Sequence, residues 1–160
     1  HEGLAITPYE ELKRNMAAML GKSSNVQPPA KAAAPKAAAV RVLVIDDEVA
    51  VNNNIRKILA KQGHRVDQAA SKEEALEKIS SGNAYGVVLL DLRIPGVQGL
   101  ELLVAVRDKQ PQAKVVIVTG YASVETAVEA ARMGAVDYLA KPFTPAEIRS
   151  ATENAFRLAA

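Results

Sequence analysis

Two of the apolar runs in the sequence end in carboxylates. Asp46, Asp47 and Glu48 follow the run RVLVI, and Asp91 follows the run VVLL. If these runs form neighbouring parallel strands, their carboxylates meet at one edge of a sheet. Two carboxylates about 4 Å apart repel by roughly 4 kcal/mol at an effective dielectric constant of about 20, so such a cluster must take up protons or bind a cation.

The residue types favour Mg²⁺ or Mn²⁺ as that cation. Carboxylates without histidine or cysteine are typical ligands of these hard ions, which keep water in their remaining coordination positions. A phosphate oxygen can replace such a water. The alternative is that Asp46 and Asp47 only cap the following helix, because acidic side chains favour helix N-termini. Capping gives no role to Asp91, so the metal site is the favoured interpretation.

A hydroxyl and an ammonium follow two further apolar runs. Thr119 comes after VVIV, and Lys141 comes after AVDYLA and directly before Pro142. Either residue alone is common at the end of a strand. Together with a metal ion they can neutralise charge on phosphoryl oxygens, which is the main requirement of phosphoryl transfer. The combination therefore indicates phosphoryl chemistry.

Five segments of the sequence predict the strands that position these residues. The runs 41–45, 87–90 and 115–118 are continuously apolar, which is typical of parallel strands that are buried on both faces. The stretches 65–70 and 135–140 are weaker and predict edge strands. Each strand precedes an amphipathic segment that predicts a helix.

The helices and strands together predict the fold class. Leu100, Leu103 and Val104 indicate an apolar face on the third helix, and Thr144-Pro145-Ala146-Glu147 is a capping box that begins the last one. Right-handed crossovers between parallel strands then give an α/β, doubly wound open sheet with helices on both faces. In such sheets ligands bind beyond the carboxyl ends of the strands, where the polar residues stand.

Composition excludes several classes of protein. The chain has 160 residues, of which 49% are hydrophobic and 24% charged, as in globular proteins. Cysteine is absent and the histidines are His1 and His64, so a zinc site or a Ser/His/Asp triad is not expected. No apolar run approaches the roughly 20 residues of a membrane span and no signal peptide is apparent, so we expect a cytoplasmic protein.

The chain divides into three parts. Residues 40–160 form the main domain, which carries 15 basic and 15 acidic residues and has no basic bias towards nucleic acid. Residues 21–39 are rich in alanine, proline and lysine and predict a semi-stiff linker. Residues 1–20 predict a short amphipathic helix that begins near Thr7. That helix is marginal alone, so it is either the end of an upstream domain or a surface helix, or a docking or dimerising helix.

Four segments resemble a known family. VLVIDDE, LLDLRIPGVQG, VVIVTGY and DYLAKPF are similar, in order and spacing, to the signature segments of response-regulator receiver domains of two-component signalling. The resemblance covers residues 41–158. It implies a flavodoxin-like (βα)5 fold with strand order 2-1-3-4-5.

The resemblance also implies roles for the acidic cluster. Asp91 would be the phosphoacceptor, attacking the phosphohistidine of a sensor histidine kinase or phosphotransfer protein. Asp47 and Asp91 would ligate Mg²⁺ directly and Asp46 through water. The backbone carbonyl of Arg93 would complete the protein ligands.

Further positions match residues that support and transmit phosphorylation in the family. Thr119 and Lys141 would hold the phosphoryl oxygens. Tyr138 matches the switch aromatic, which would move into space that Thr119 vacates and alter the face made by helix 4, strand 5 and helix 5. Arg93 and Tyr121 occupy positions that modulate the phosphoryl lifetime.

Two other functions fit part of this pattern. A Mg²⁺-dependent phosphatase of the haloacid dehalogenase type usually has an aspartate two residues after its nucleophile, where this chain has Arg93. A receiver-like module that works without phosphorylation is favoured by an incomplete acidic cluster, and this cluster is complete. We therefore expect a signalling switch, not an enzyme, that acts on a downstream protein effector without binding nucleic acid itself.

Overall fold

The computed structural model describes residues 41–159, except for the side chain of Ala159. The predicted helix in residues 1–20 and the predicted linker 21–39 lie outside the described residues, as do Val40 and Ala160.

The described chain folds around a five-stranded parallel sheet with the order β2-β1-β3-β4-β5. The strands are β1 (Arg41–Ile45), β2 (Arg65–Ala69), β3 (Val87–Leu90), β4 (Lys114–Thr119) and β5 (Ala135–Ala140). The predicted strand order and the assignment of β2 and β5 to the edges are confirmed. β3 is buried along its whole length, as its uninterrupted apolar sequence requires.

Five helices connect or follow the strands. They are α1 (Val49–Ala60), α2 (Lys72–Ile79), α3 (Glu101–Lys109), α4 (Val124–Arg132) and α5 (Pro145–Ala159). The predicted capping box of α5 is present: the Glu147 N–H donates to Thr144 Oγ1 at 3.1 Å, and the Thr144 N–H donates to Glu147 Oε1 at 2.9 Å. Ser71 and Ser123 cap α2 and α4 through their side-chain oxygens, which accept from the N–H groups of Glu74 and Thr126.

The sheet has a separate apolar core on each face. One core joins alternate strand residues such as Leu43 and Ile45 to α2, α3 and α4. The other joins Val42 and Val44 to α1 and α5. This division follows from the period of two along a strand, which sends successive side chains to opposite faces.

The prediction that Val104 belongs to the buried face of α3 is wrong. Val104 is 49% exposed, and the buried face consists of Leu102, Leu103 and Val106. Leu100 is the N-cap residue of α3 and packs against the core from outside the helix. Since successive residues of a helix are turned by about 100°, Val104 points away from the side that Leu102, Leu103 and Val106 bury.

The strand register brings the carboxyl ends of β1 and β3 level. Ile45 pairs with Leu90, the last residue of β3, so Asp46 and Asp91 follow two neighbouring strands at the same height. On the other side of β3, Thr119 pairs with Ala140, which precedes Lys141. All the candidate residues therefore meet at one edge. Among the residues that the structure describes, no helix is long and apolar enough to cross a membrane.

Candidate functional site

The predicted carboxylate cluster is assembled at the carboxyl edge of the sheet. Oxygens of Asp46, Asp47 and Asp91 all lie within 4.8 Å of one another. Asp46 is 2% exposed and Asp91 is 5% exposed, whereas Asp47 is open to solvent. Two of the three acids are thus held away from water, which makes their mutual repulsion costly without a nearby cation.

Backbone hydrogen bonds fix the two buried acids. Asp46 Oδ1 accepts from the Glu48 N–H at 2.9 Å, and Asp91 Oδ1 accepts from the Arg93 N–H at 3.0 Å. The N-cap residue of α1 is Glu48, and its side chain makes no capping hydrogen bond. The contact of Asp46 with the peptide N–H of that residue gives no role to Asp47 or Asp91, so helix capping alone does not account for the acidic cluster.

Asn52 supports the turn that carries Asp46. Its buried Nδ2 donates to the carbonyl oxygen of Asp46 at 2.8 Å and to that of Ala69 at 3.3 Å. The side chain thereby ties the end of β1 to the end of β2. Sequence reasoning missed this residue. The available signal was an asparagine one residue after Val51, on the face of α1 that the apolar pattern predicts to be buried.

Lys141 reaches from the end of β5 into the acidic cluster. Its Nζ lies 2.7 Å from Asp46 Oδ2, 3.0 Å from Asp91 Oδ2 and 3.3 Å from Glu48 Oε1. Burial alone would lower the pKa of Lys141, but its hydrogen bonds to Asp46 and Asp91 outweigh that effect and raise the pKa. The ammonium therefore stays charged across the physiological range. Its contact with Glu48 was not predicted.

The ammonium does not fully compensate the cluster. Burial raises the pKa of the Asp46 carboxyl, although its hydrogen bonds with Lys141 and the Glu48 N–H act in the opposite direction. A second cation nearby would stabilise the charged form of this carboxyl group. The oxygen-only donor set of Asp46, Asp47 and Asp91 fits a hard divalent ion such as Mg²⁺.

Beside the cluster lies an open cleft of about 800 Å³. Its walls come mainly from the loops after β1, β3 and β4, and the side chain of Lys141 closes one side. Arg93 and Tyr121 face each other at its rim: the guanidinium carbon lies 3.8 Å from the ring centroid. The cleft therefore gives solvent access to Asp91 along a route that passes these two side chains.

Thr119 ends β4 and is fully buried. Its Oγ1 accepts a hydrogen bond from the Tyr121 N–H at 3.2 Å. The residue lines a second cavity of about 430 Å³, between the β3–α3 loop and α4, together with Leu100, Thr126 and Glu129. Thr119 thus stands at the predicted edge, with its hydroxyl in the turn that leads to Tyr121.

Tyr138 is fully buried in the core shared with α2, α3 and α4. It pairs with Ile117 on β4, two residues before Thr119, so Tyr138 and Thr119 lie on the same face of the sheet. Burial raises the pKa of the Tyr138 hydroxyl, although its proximity to the Ser123 backbone and the Thr126 side chain acts in the opposite direction. The ring already lies inside the core, whereas the family resemblance implies an aromatic that moves inward when Thr119 shifts.

Comparison with known proteins decides the family. The model of the response regulator receiver domain matches residues 42–153, which is more than half of the chain. The chain belongs to the response regulator receiver family. A curated relative is the alginate biosynthesis transcriptional regulatory protein AlgB of Pseudomonas aeruginosa, 40% identical over 111 residues that make up 69% of this chain and 24% of AlgB. This receiver chain thus spans about a quarter of that relative's length.

Solved receiver structures agree with this assignment. A CheY-like receiver domain protein from Methanospirillum hungatei superposes with a TM-score of 0.72 at 31% identity, covering 76% of this chain and 97% of the other. A response regulator from Burkholderia pseudomallei, solved with a phosphorylated aspartic acid, calcium ion and citrate, gives a TM-score of 0.67 at 36% identity, covering 74% of this chain and 70% of the other.

Proposed function

We propose that this receiver domain is a phosphorylation switch in which Asp91 accepts a phosphoryl group with the help of Mg²⁺. A carboxylate oxygen of Asp91 attacks the phosphorus of a phosphohistidine on a sensor histidine kinase or phosphotransfer protein. The P–N bond breaks, the imidazole leaves, and an aspartyl phosphate forms. Later hydrolysis by water resets the switch, so the chain acts on itself and has no separate substrate to turn over.

One observation carries the proposal. Asp91 is a nearly buried carboxylate at the edge of an open cleft, with two further acids within 4.8 Å and an ammonium at 3.0 Å. A merely structural aspartate would have no reason to be placed among other acids beside a cleft. The phosphorylated aspartic acid in the Burkholderia pseudomallei relative supports the same chemistry here.

Asp46, Asp47 and Asp91, with the carbonyl oxygen of Arg93, are the residues that would hold the metal ion. Bound Mg²⁺ supplies charge neutralisation for the phosphoryl oxygens and for the crowded carboxylates. Lys141 contributes a second positive charge beside Asp91, to which it already donates a hydrogen bond. Thr119 is proposed to donate a hydrogen bond from its hydroxyl to a third phosphoryl oxygen. The bond that its Oγ1 accepts from the Tyr121 N–H leaves that hydroxyl proton available.

The proposed output is a change on the surface formed by α4, β5 and α5. Thr119 and Tyr138 share one face of the sheet on adjacent strands, so movement of the first changes the space open to the second. The 430 Å³ cavity beside Thr119 and Thr126 gives room for such a movement without unpacking the core. A downstream protein or domain that reads this surface would then distinguish the two states.

Incubation with acetyl phosphate and Mg²⁺, followed by intact-mass measurement, tests the proposal. We expect a mass gain of one phosphoryl group that requires Mg²⁺ and disappears in Asp91→Asn. Asp108→Asn is a matched control, because Asp108 is an exposed aspartate on α3 away from the cleft. Unchanged labelling of the Asp91→Asn variant would place the acceptor elsewhere.

A further inference from the structure

Glu48 contacts Lys141 but has no part in the proposed metal site. Its carboxylate is 61% exposed at the lip of the cleft, and its Oε1 lies 3.3 Å from Lys141 Nζ. It does not belong to the group of acids within 4.8 Å of one another. Its peptide N–H donates to Asp46. Because the Glu48 carboxylate lies outside the metal cluster, it can pair with the ammonium while the other two acids bind the metal ion.

Lys141 is shared by three carboxylates, and two of them have a competing partner. Asp46 and Asp91 are also the proposed ligands of Mg²⁺, so a divalent ion and the ammonium would share the same oxygens. Two cations at such short range repel each other, and the repulsion is strong where the ligands are buried. Binding of Mg²⁺ therefore requires the ammonium to give up part of its contact with these acids.

We propose that Glu48 is a positioning residue that receives the Lys141 ammonium when Mg²⁺ binds to the acidic cluster. Of the three carboxylates around Nζ it is the most exposed and the only one without a metal-binding assignment. It keeps the ammonium paired at the cleft wall, close to Asp91, where it can still meet a phosphoryl oxygen. This inference rests on the proposed function, because it assumes that Mg²⁺ uses the cluster.

The size of the effect follows from the exposure of the pair. A partly exposed ion pair contributes little to stability, so loss of Glu48 should lower Mg²⁺ affinity only about two- to fivefold. The effect must depend on Lys141, because Glu48 acts by stabilising the displaced ammonium. A carboxylate that merely attracted Mg²⁺ at long range would act to the same extent with or without the lysine.

A double-mutant cycle separates these two modes of action. Mg²⁺ affinity is measured for wild type, Glu48→Gln, Lys141→Met and the double variant by titration followed in amide NMR spectra, at a fixed ionic strength of about 0.15 M where distant charges are screened. We expect Glu48→Gln to weaken binding about two- to fivefold in the presence of Lys141 and by less than about 1.5-fold in the Lys141→Met background. Lys141→Met alone should strengthen binding, because it removes a competing cation.

The control is Glu77→Gln, which makes the same charge change at an exposed position of α2 that does not line the cleft. It should leave Mg²⁺ affinity unchanged. If Lys141→Met does not fold, Lys141→Gln takes its place in the cycle. An equal loss of affinity in both backgrounds, or no loss in either, would overturn the role of Glu48. Failure of the wild-type protein to bind Mg²⁺ at all would instead overturn the proposed function.

Discussion

The guanidinium of Arg93 stacks on the ring of Tyr121, with 3.8 Å between the guanidinium carbon and the ring centroid. The two residues come from different loops, after β3 and after β4, and both line the cleft beside Asp91. Such a cation–π contact is worth about 0.5–1 kcal/mol at an exposed site. Each side chain therefore restrains the other at the rim of the cleft.

We predict that the Arg93→Ala/Tyr121→Ala double variant loses its phosphoryl group faster than wild type. Removing the stacked pair opens the approach to Asp91, so hydrolysis should accelerate about three- to tenfold. Mg²⁺ affinity should change little, because Arg93 is expected to ligate through its backbone carbonyl. The measurement is the decay of phosphorylated protein after the donor is removed.

Arg56→Ala provides the control for that measurement, since Arg56 is an exposed arginine on α1 and does not line the cleft. It should decay at the wild-type rate. Equal or slower decay of the double variant would show that the pair does not shield the intermediate.

Asn52→Ala should loosen the turn that carries Asp46. The substitution leaves the carbonyl oxygens of Asp46 and Ala69 without the side-chain donor, at a cost of about 1–2 kcal/mol in the free energy of unfolding. It should also weaken Mg²⁺ binding, because Asp46 is less well held. Urea unfolding and a Mg²⁺ titration measure the two effects.

Asn53→Ala is the matched comparison, since the neighbouring Asn53 makes a partly buried hydrogen bond with Gln68 and does not touch the cluster. A loss of Mg²⁺ affinity as large as that of Asn52→Ala would contradict the assigned role.

Gly134→Ala should destabilise the turn between α4 and β5. Gly134 has a φ of 105°, and a Cβ there would lie 2.6 Å from Arg107 Nε. The left-handed backbone costs an alanine about 1–2 kcal/mol, and moving the flexible Arg107 side chain adds about 0.5 kcal/mol. Urea unfolding gives the loss of stability caused by Gly134→Ala in wild type and in an Arg107→Ala background. The difference between these two losses is the contribution of the Arg107 side chain.

Gly63→Ala calibrates the backbone part, because Gly63 has a φ of 89° with nothing within 4 Å of its added Cβ. Its cost should equal that of Gly134→Ala in the Arg107→Ala background. A Gly134→Ala variant as stable as wild type would refute the argument.

Tyr85 makes stability depend on alkaline pH. Its buried hydroxyl donates to Asp67 Oδ2 at 2.7 Å, and burial together with this hydrogen bond raises the pKa of Tyr85 to about 12. The folded state therefore holds the proton more tightly than the unfolded state, whose pKa is about 10. The stabilisation is complete below about pH 10 and is lost as the pH rises towards 12.

Comparison with Tyr85→Phe isolates this effect. At pH 7 the variant should be less stable by about 1–2 kcal/mol, through loss of a hydrogen bond to a charged acceptor. The difference in urea midpoint between the two proteins should shrink above about pH 10. A difference that stays constant up to pH 12 would show that Tyr85 does not titrate as described.

The sequence was sufficient to predict an open parallel sheet and the polar residues at its carboxyl edge. Both follow from local signals: continuous apolar runs give buried parallel strands, and polar residues directly after them lie at the ligand edge. Asp46, Asp47, Asp91 and Lys141 are predicted in this way. The strand order came from the family resemblance, because local patterns do not say which strands are neighbours.

Contacts that depend on side-chain direction could not be predicted. Glu48 and Lys141 are 93 positions apart in the chain, so no local signal indicates their ion pair. The stacking of Arg93 on Tyr121 depends on two loop conformations, and Thr119 bonding to the Tyr121 N–H depends on the turn after β4. The apolar residues of α3 fit more than one helical face, so the exposure of Val104 depends on how the helix packs on the sheet.

The parallel arrangement of the strands has a consequence for how activity is lost under denaturing conditions. Asp46, Asp91 and Lys141 follow three different strands, and 50 residues separate Asp91 from Lys141 in the chain. No fragment made of consecutive elements brings all three together before β1, β3 and β5 are all docked. The ability of Asp91 to accept a phosphoryl group should therefore be lost in the same cooperative transition as the sheet. The fraction of chains phosphorylated at saturating donor should then equal the fraction of folded chains.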